Sequence, residues 1–178
     1  MNNWNFELAT LTNKSPAFLA RFIKPRLIFL PTWWPVKFNA WAYGPYIFIA
    51  PGLRDAPDHV RQYIIGHEYG HIYCGHTISH IVYWMMFIIL TIGNLANLPL
   101  LNGFSLIILV LITLFICAPT LAKKREFEAD AIAISLLGRQ VVLRGSLWMA
   151  NKTGTIGNLF RQHRLMRLGW QLGTDSIN

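Results

Sequence analysis

Two long apolar stretches set the layout of the chain. Residues 78–98 and 104–122 contain no Asp, Glu, Lys or Arg. Each has about the 20 residues needed to cross the hydrocarbon core of a bilayer. The segment PLLNG between them supplies Pro99 and Gly103, which favour a turn. The pattern predicts a helical hairpin that crosses a membrane and returns; the competing reading is a pair of buried helices in a soluble core. His80, Asn94 and Asn97 make the first stretch the more polar of the two.

Shorter elements flank this hairpin. YIFIA (46–50) is β-branched and aromatic and lies between Gly44-Pro45 and Pro51-Gly52, so it predicts a short strand. A helix follows, capped by Asp55 or Asp58, starting near Ala56-Pro57 and running through Val60, Tyr63 and Ile64 to about Gly75. After the hairpin, REFEADAIAISLLGRQVVL (125–143) is helical. Its small residues Ala129, Ala131 and Ala133 allow a neighbouring helix to approach closely. In 156–172, Leu159, Leu165, Leu168 and Leu172 alternate with Arg161, Arg164 and Arg167, the mark of an amphipathic surface helix. Residues 17–38 mix basic and aromatic groups and either lie on a membrane surface or pack irregularly on the core. Arg21, Lys24, Pro25 and Arg26 prevent 18–30 from spanning, and the polar start MNNWNFELATLTNKSP lacks the apolar core of a signal peptide.

Composition agrees with the membrane reading. Of the 178 residues 53% are hydrophobic and only 13% charged, the latter about half the usual share. Between Gln62 and Ala122 the sole Asp, Glu, Lys or Arg is Glu68, so all 16 basic residues lie outside that window. A net charge of +8 invites nucleic acid. The basic residues are dispersed among Trp and Phe, however, and suit an anionic membrane surface instead. No nucleic-acid partner is expected. Cys74 and Cys117 do not form a disulfide framework. The tip of the hairpin carries no basic residue, whereas Lys123, Lys124 and Arg125 follow it at once. Positive residues stay cytoplasmic, which places both termini and the first helix on that side.

The chemistry lies in IIGHEYGHIYCGH (64–76). His67 and His71 stand four apart and share one helix face, so both imidazoles can meet one metal. Glu68 is offset by one residue and can reach a water at the metal, which is the mechanical content of His-Glu-x-x-His. A third protein ligand is required. Cys74 lies three after His71 and gives a Cys-His-His set, although catalytic zinc usually has a carboxylate or a third histidine. His76 misses the spacing of the longer metzincin pattern and suits the end of the helix, where its side chain complements the dipole. His80 reads as interfacial. The distant candidate is REFEAD (125–130), in which Glu126 and Asp130 are again i and i+4. One carboxylate of such a pair can bind zinc while the other takes the ring N–H of a ligating histidine. The bland alternative is an acidic, exposed helix start.

HEYGH, a membrane hairpin and then EFEAD, in that order, resemble the M48 family of integral-membrane zinc metallopeptidases, which includes the heat-shock protease HtpX and the CAAX prenyl proteases. NAWAYGPYIFIAPGL (39–53) also resembles that family's Asn-Ala-Phe-Ala segment and the edge strand after it. The resemblance implies a mainly α, membrane-integrated, gluzincin-like fold with a short β edge strand or small sheet. It implies one zinc held by His67, His71 and Glu126, with Glu68 catalytic and Asp130 supporting a ligand histidine. Residues 1–77 and 123–178 become the two parts of a catalytic domain, and 78–122 a transmembrane hairpin between them. A protein or peptide substrate would add to the strand at Tyr46, Ile47 and Phe48, near Asn39 and Ala40, with Arg164 or Arg167 assisting. RQHRLMRLGW lacks the Pro of the family's His-Pro pair. The expected location is multi-pass in a bacterial inner membrane with the site cytoplasmic. The alternative function is a non-catalytic zinc-binding relative in the membrane.

Overall fold

The computed structural model of the chain describes residues 3–14, 24–95, 118–155 and 159–168. They are mostly helical, with one small sheet. In chain order the elements are α1 (Asn3–Lys14), β1 (Arg26–Phe29), β2 (Ala40–Tyr43), β3 (Tyr46–Ile49), α2 (Asp58–Tyr73), α3 (His76–Leu95), α4 (Ala118–Leu137), α5 (Arg139–Lys152) and α6 (Leu159–Arg167).

The centre of the fold is α2, the His-Glu-x-x-His helix. Eleven of its 16 residues are buried, on every side. It packs against α4, α5, α1 and β2. Val60, Ile64 and Ile65 enter the main core beside Leu53, Ala133 and Val142, and each such burial contributes about 1.5–3 kcal/mol. The N-terminus is not capped by an aspartate side chain as expected. Pro57 holds the cap position without a side-chain bond, and Asp58, in the first turn, pairs with Arg61. An acid there still faces the positive end of the helix dipole. At the other end Cys74 is exposed and so does no helix packing. Gly75 has φ +65°, a left-handed conformation that ends α2 and turns the chain into α3.

Two glycines bring α2 and α4 together. A Cβ on Gly70 would lie 2.7–2.8 Å from the carbonyl oxygen and Cα of Ala129. On Gly66 it would lie 2.6 Å from Leu137 Cδ1. Ala129 and Ala133 are fully buried at this contact. Ala131 is exposed, contrary to expectation, because two residues of helix turn a side chain about 200° away. The helix expected over 125–143 is in fact two helices, broken at Gly138 with φ +84°. The boundary expected at 122/123 falls inside α4, which puts Glu126 in the helix interior and not at an acidic start.

The sheet has the order β1-β3-β2. β3 is parallel to β1 and antiparallel to β2. This corrects the expectation for Tyr46, Ile47 and Phe48. Their strand is central and hydrogen-bonded on both edges, so it has no edge for a substrate, and Ile47 is fully buried. The free edge beside α2 belongs to β2. β1 and α1 were not foreseen: α1 buries Trp4, Leu8 and Leu11 at helical spacing, and Trp4 Nε1 donates to Arg54 O at 3.1 Å.

The first apolar stretch forms α3, which exposes Ile78, Ile81, Val82, Trp84, Met85, Ile88, Ile89 and Ile92. Among the described residues no single helix is long and apolar enough to cross a membrane. α2 and the first part of α3 meet the requirement only as a pair, bent by 47°. The second stretch, 104–122, and Cys117 lie outside the described residues except for the start of α4.

Candidate metal centre

His67 and His71 leave α2 on one face and meet Glu126 of α4. The two Nε2 atoms are 3.2 Å apart. Glu126 Oε2 lies 3.4 Å from His67 Nε2 and Oε1 lies 3.4 Å from His71 Nε2. A tetrahedral ion about 2.0–2.1 Å from its ligands has donor-to-donor edges of about 3.3 Å. The two imidazole nitrogens, and each of them with one of the two Glu126 oxygens, are therefore already close to the edge length of such a tetrahedron. Two imidazoles and a carboxylate are also the donor set of a catalytic zinc with an open fourth position. Among the described residues these three form the group able to hold a metal. Cys74 is exposed and outside it, and His80 lies along the cavity wall.

The surrounding groups hold these ligands. Asp130 Oδ1 accepts from His67 Nδ1 at 2.9 Å, which turns Nε2 toward the centre. His76 does not sit at the end of α2 as expected. It opens α3, is buried, and contacts His71 through Nδ1 at 2.7 Å. Arg164 is not a surface residue. It is 4% exposed; its Nε and Nη2 each donate to Asp130 at 2.8 Å, and Nη1 donates to Glu126 Oε2 at 2.5 Å. The guanidinium therefore clamps two carboxylates, and it also lines the cavity over the cluster, where it was expected to assist a substrate. Arg167 is exposed and stacks over Phe127 at 4.4 Å, and among the described residues it does not line the cavity.

A family model for peptidase family M48 matches residues 35–163. The chain belongs to this family. Its members are typically zinc-dependent, and the His67, His71 and Glu126 cluster fits that metal. No curated protein and no solved structure gives a significant match.

In this M48 chain a cavity of 680 Å³ opens over the cluster. One wall is the β2 edge, with Asn39 just before it and Ala40 and Ala42 on it; the opposite wall is α3, through Ile81, Trp84 and Met85. Glu68 lines the floor and is only 6% exposed. Burial pushes its carboxyl up, while His67, His71 and a hydrogen bond from the Ala42 backbone N–H pull it back. Burial alone would raise Asp130, but His67 and Arg164 outweigh it and hold the carboxyl down at about 2. Glu126 is held well below the carboxylate range against its own burial, by hydrogen bonds to His67 and His71 and the charge of Arg164. Both groups are thus held as carboxylates, and Arg164 pairs with both. Tyr63, whose hydroxyl lies 3.5 Å from Arg164 Nη2, is a further residue of the wall that sequence reasoning did not single out.

Proposed function

We propose that this M48 protein is a membrane-bound zinc endopeptidase of the HtpX-like type, holding one zinc through His67, His71 and Glu126. The observation that carries this is the cluster of two imidazole nitrogens 3.2 Å apart, each 3.4 Å from one oxygen of Glu126, with the buried Glu68 beside them in an open cavity. Zinc bound in such a site supplies Lewis acidity toward a peptide carbonyl and toward water. The Glu68 carboxylate takes a proton from the attacking water and passes it to the leaving amine. Its raised affinity for a proton brings it closer to working pH, where a general base is most effective. The β2 edge aligns the substrate. Asn39 O accepts from Ala50 N, inside the sheet, so alternation turns the backbone groups of Ala40 and Ala42 outward. The Ala42 N–H is taken by Glu68, which leaves the N–H and C=O of Ala40 and the C=O of Ala42 for a substrate. An extended peptide can pair there with little demand on its sequence.

The cavity runs from the zinc ligands onto the apolar side chains of α3. This continuity favours substrates that are membrane proteins or membrane-proximal segments. The exposed row from Ile78 to Ile92 is the surface a bilayer would cover. The proposed location is a bacterial inner membrane with the site and both termini cytoplasmic; Lys123, Lys124 and Arg125, directly after the second apolar stretch, support that side by the positive-inside rule. The test uses detergent-purified protein and unfolded casein. The expected result is about one zinc per chain and cleavage that stops on chelation and returns with zinc. Cleavage indifferent to chelation would contradict the proposal.

A further inference from the structure

The two ligand histidines are supported in different ways. His67 Nδ1 meets a carboxylate directly, Asp130 at 2.9 Å. His71 Nδ1 meets another imidazole, His76 Nδ1, at 2.7 Å. His76 Nε2 in turn lies 3.0 Å from Glu128 Oε2. Two ring nitrogens this close are compatible only if one donates and the other accepts. With Nε2 of His71 facing Glu126 and the metal position, its Nδ1 carries the proton. His76 is then the tautomer with its proton on Nε2, and that proton points at Glu128. Every donor in the chain from His71 through His76 to Glu128 has an acceptor.

We propose that His76 and Glu128 are positioning residues for the zinc ligand His71, doing in two steps what Asp130 does for His67 in one. This rests on the metal-centre reading above. His76 is 7% exposed although it is polar, and a buried imidazole needs partners at both nitrogens; the relay supplies both. Gly75, with φ +65°, makes the turn that brings His76 back against α2. Glu128 leaves α4 two residues after Glu126, so one helix provides both the third ligand and the end of the relay. Its other partner, Lys124 at 3.7 Å, is an exposed pair of the kind that contributes little.

The test measures zinc affinity by chelator competition on wild type, His76→Phe, His76→Asn, Glu128→Gln and the Phe/Gln double variant. Unfolding of the metal-free forms is recorded alongside. His76→Phe removes the acceptor for His71 and is expected to weaken zinc binding ~10–100-fold, the range for groups that orient a metal ligand. His76→Asn keeps an acceptor near Nδ1 and is expected to recover part of the loss. Glu128→Gln is expected to cost less, and nothing further once His76 is Phe, because the links act in series. A visible spectrum of the cobalt-substituted protein that shifts in His76→Phe supports the same conclusion. Affinity within about twofold of wild type in His76→Phe, or full additivity of the two losses, overturns the relay. Should His76→Phe fail to fold, Glu128→Ala decides alone, since it removes the acceptor that Gln would keep: the Glu128 side chain is 42% exposed, and unchanged affinity in Glu128→Ala overturns the relay. A wild type without zinc would overturn the metal centre itself, and the relay with it.

Discussion

α2 and α3 are consecutive helices joined at Cys74-Gly75, and they invert each other. α2 encloses its polar groups: His67 and Glu68 are 7% and 6% exposed and Arg61 is 9% exposed. α3 exposes its apolar ones, with Ile89 at 63% and Ile92 at 61%. Both arrangements run against the ordinary distribution of residues, in which a buried charge or a broad exposed apolar face is the informative exception. In α2 the burial of the histidines is offset by pairing: Asp130, itself held by Arg164, satisfies His67, and the ligand pair faces a carboxylate. In α3 nothing among the described residues covers the apolar row, and a bilayer is the proposed cover. One helix spends stability on chemistry and the other on location.

The largest expected effect breaks the pairing around α2. Arg164→Ala removes the one cation that clamps the buried Asp130 and the partly buried Glu126, leaving them only the imidazoles. The expected loss is about 3–5 kcal/mol of stability in the metal-free protein, read from denaturant unfolding; a loss below 1 kcal/mol would show that the clamp is incidental. A comparable test on α3 introduces a charge where the bilayer is proposed. Ile89→Lys is expected to cost about 2.5–3.5 kcal/mol of insertion if the helix lies at mid-membrane. A drop in the fraction of protein that stays with membranes after carbonate washing checks it, and unchanged retention would count against the membrane reading.

Smaller effects sharpen the same contrast. Gly70→Ala pushes a methyl group into the Ala129 backbone, which cannot move aside as a side chain can. About 1–3 kcal/mol of destabilisation is expected, with weaker zinc binding because Glu126 retreats from the histidines. Normal zinc affinity in that variant would mean the helix contact does not set the site. An effect of similar size is that of acid. Asp130 is held down at about 2 from 3.8, so its contribution, about 2 kcal/mol, is fully present above the unfolded value. It is lost as pH falls from about 4 toward 2. Asp130→Asn should flatten the acid limb of the metal-free stability curve in that window.

Much of α2 was legible in the sequence, because a helix writes its geometry into local spacing: His67 and His71 at i and i+4 had to share a face. Glu126 and Asp130 were legible for the same reason. What was not legible depends on distant partners. YIFIA (46–50) read as a strand between turn signals, yet its place in the middle of the sheet comes from β1 and β2, and β1 is four residues beginning at Arg26 with a parallel, non-local partner. In the last helix three arginines share a regular spacing, and which one turns inward is decided by Asp130, 34 residues earlier in the chain. His76 was placed at the wrong helix end because the left-handed Gly75 ends α2 and bends the chain into α3 just before it.

The central claim is that Glu68 moves the proton at a site whose metal ligands are other residues. The direct measurement is casein cleavage by wild type and Glu68→Gln, both loaded with zinc and both assayed for zinc content. The account predicts equal zinc in the two proteins and a rate lower by ~10²–10⁴-fold or more in the variant, the range for a lost general base. A zinc-loaded Glu68→Gln protein that cleaves like wild type would contradict it.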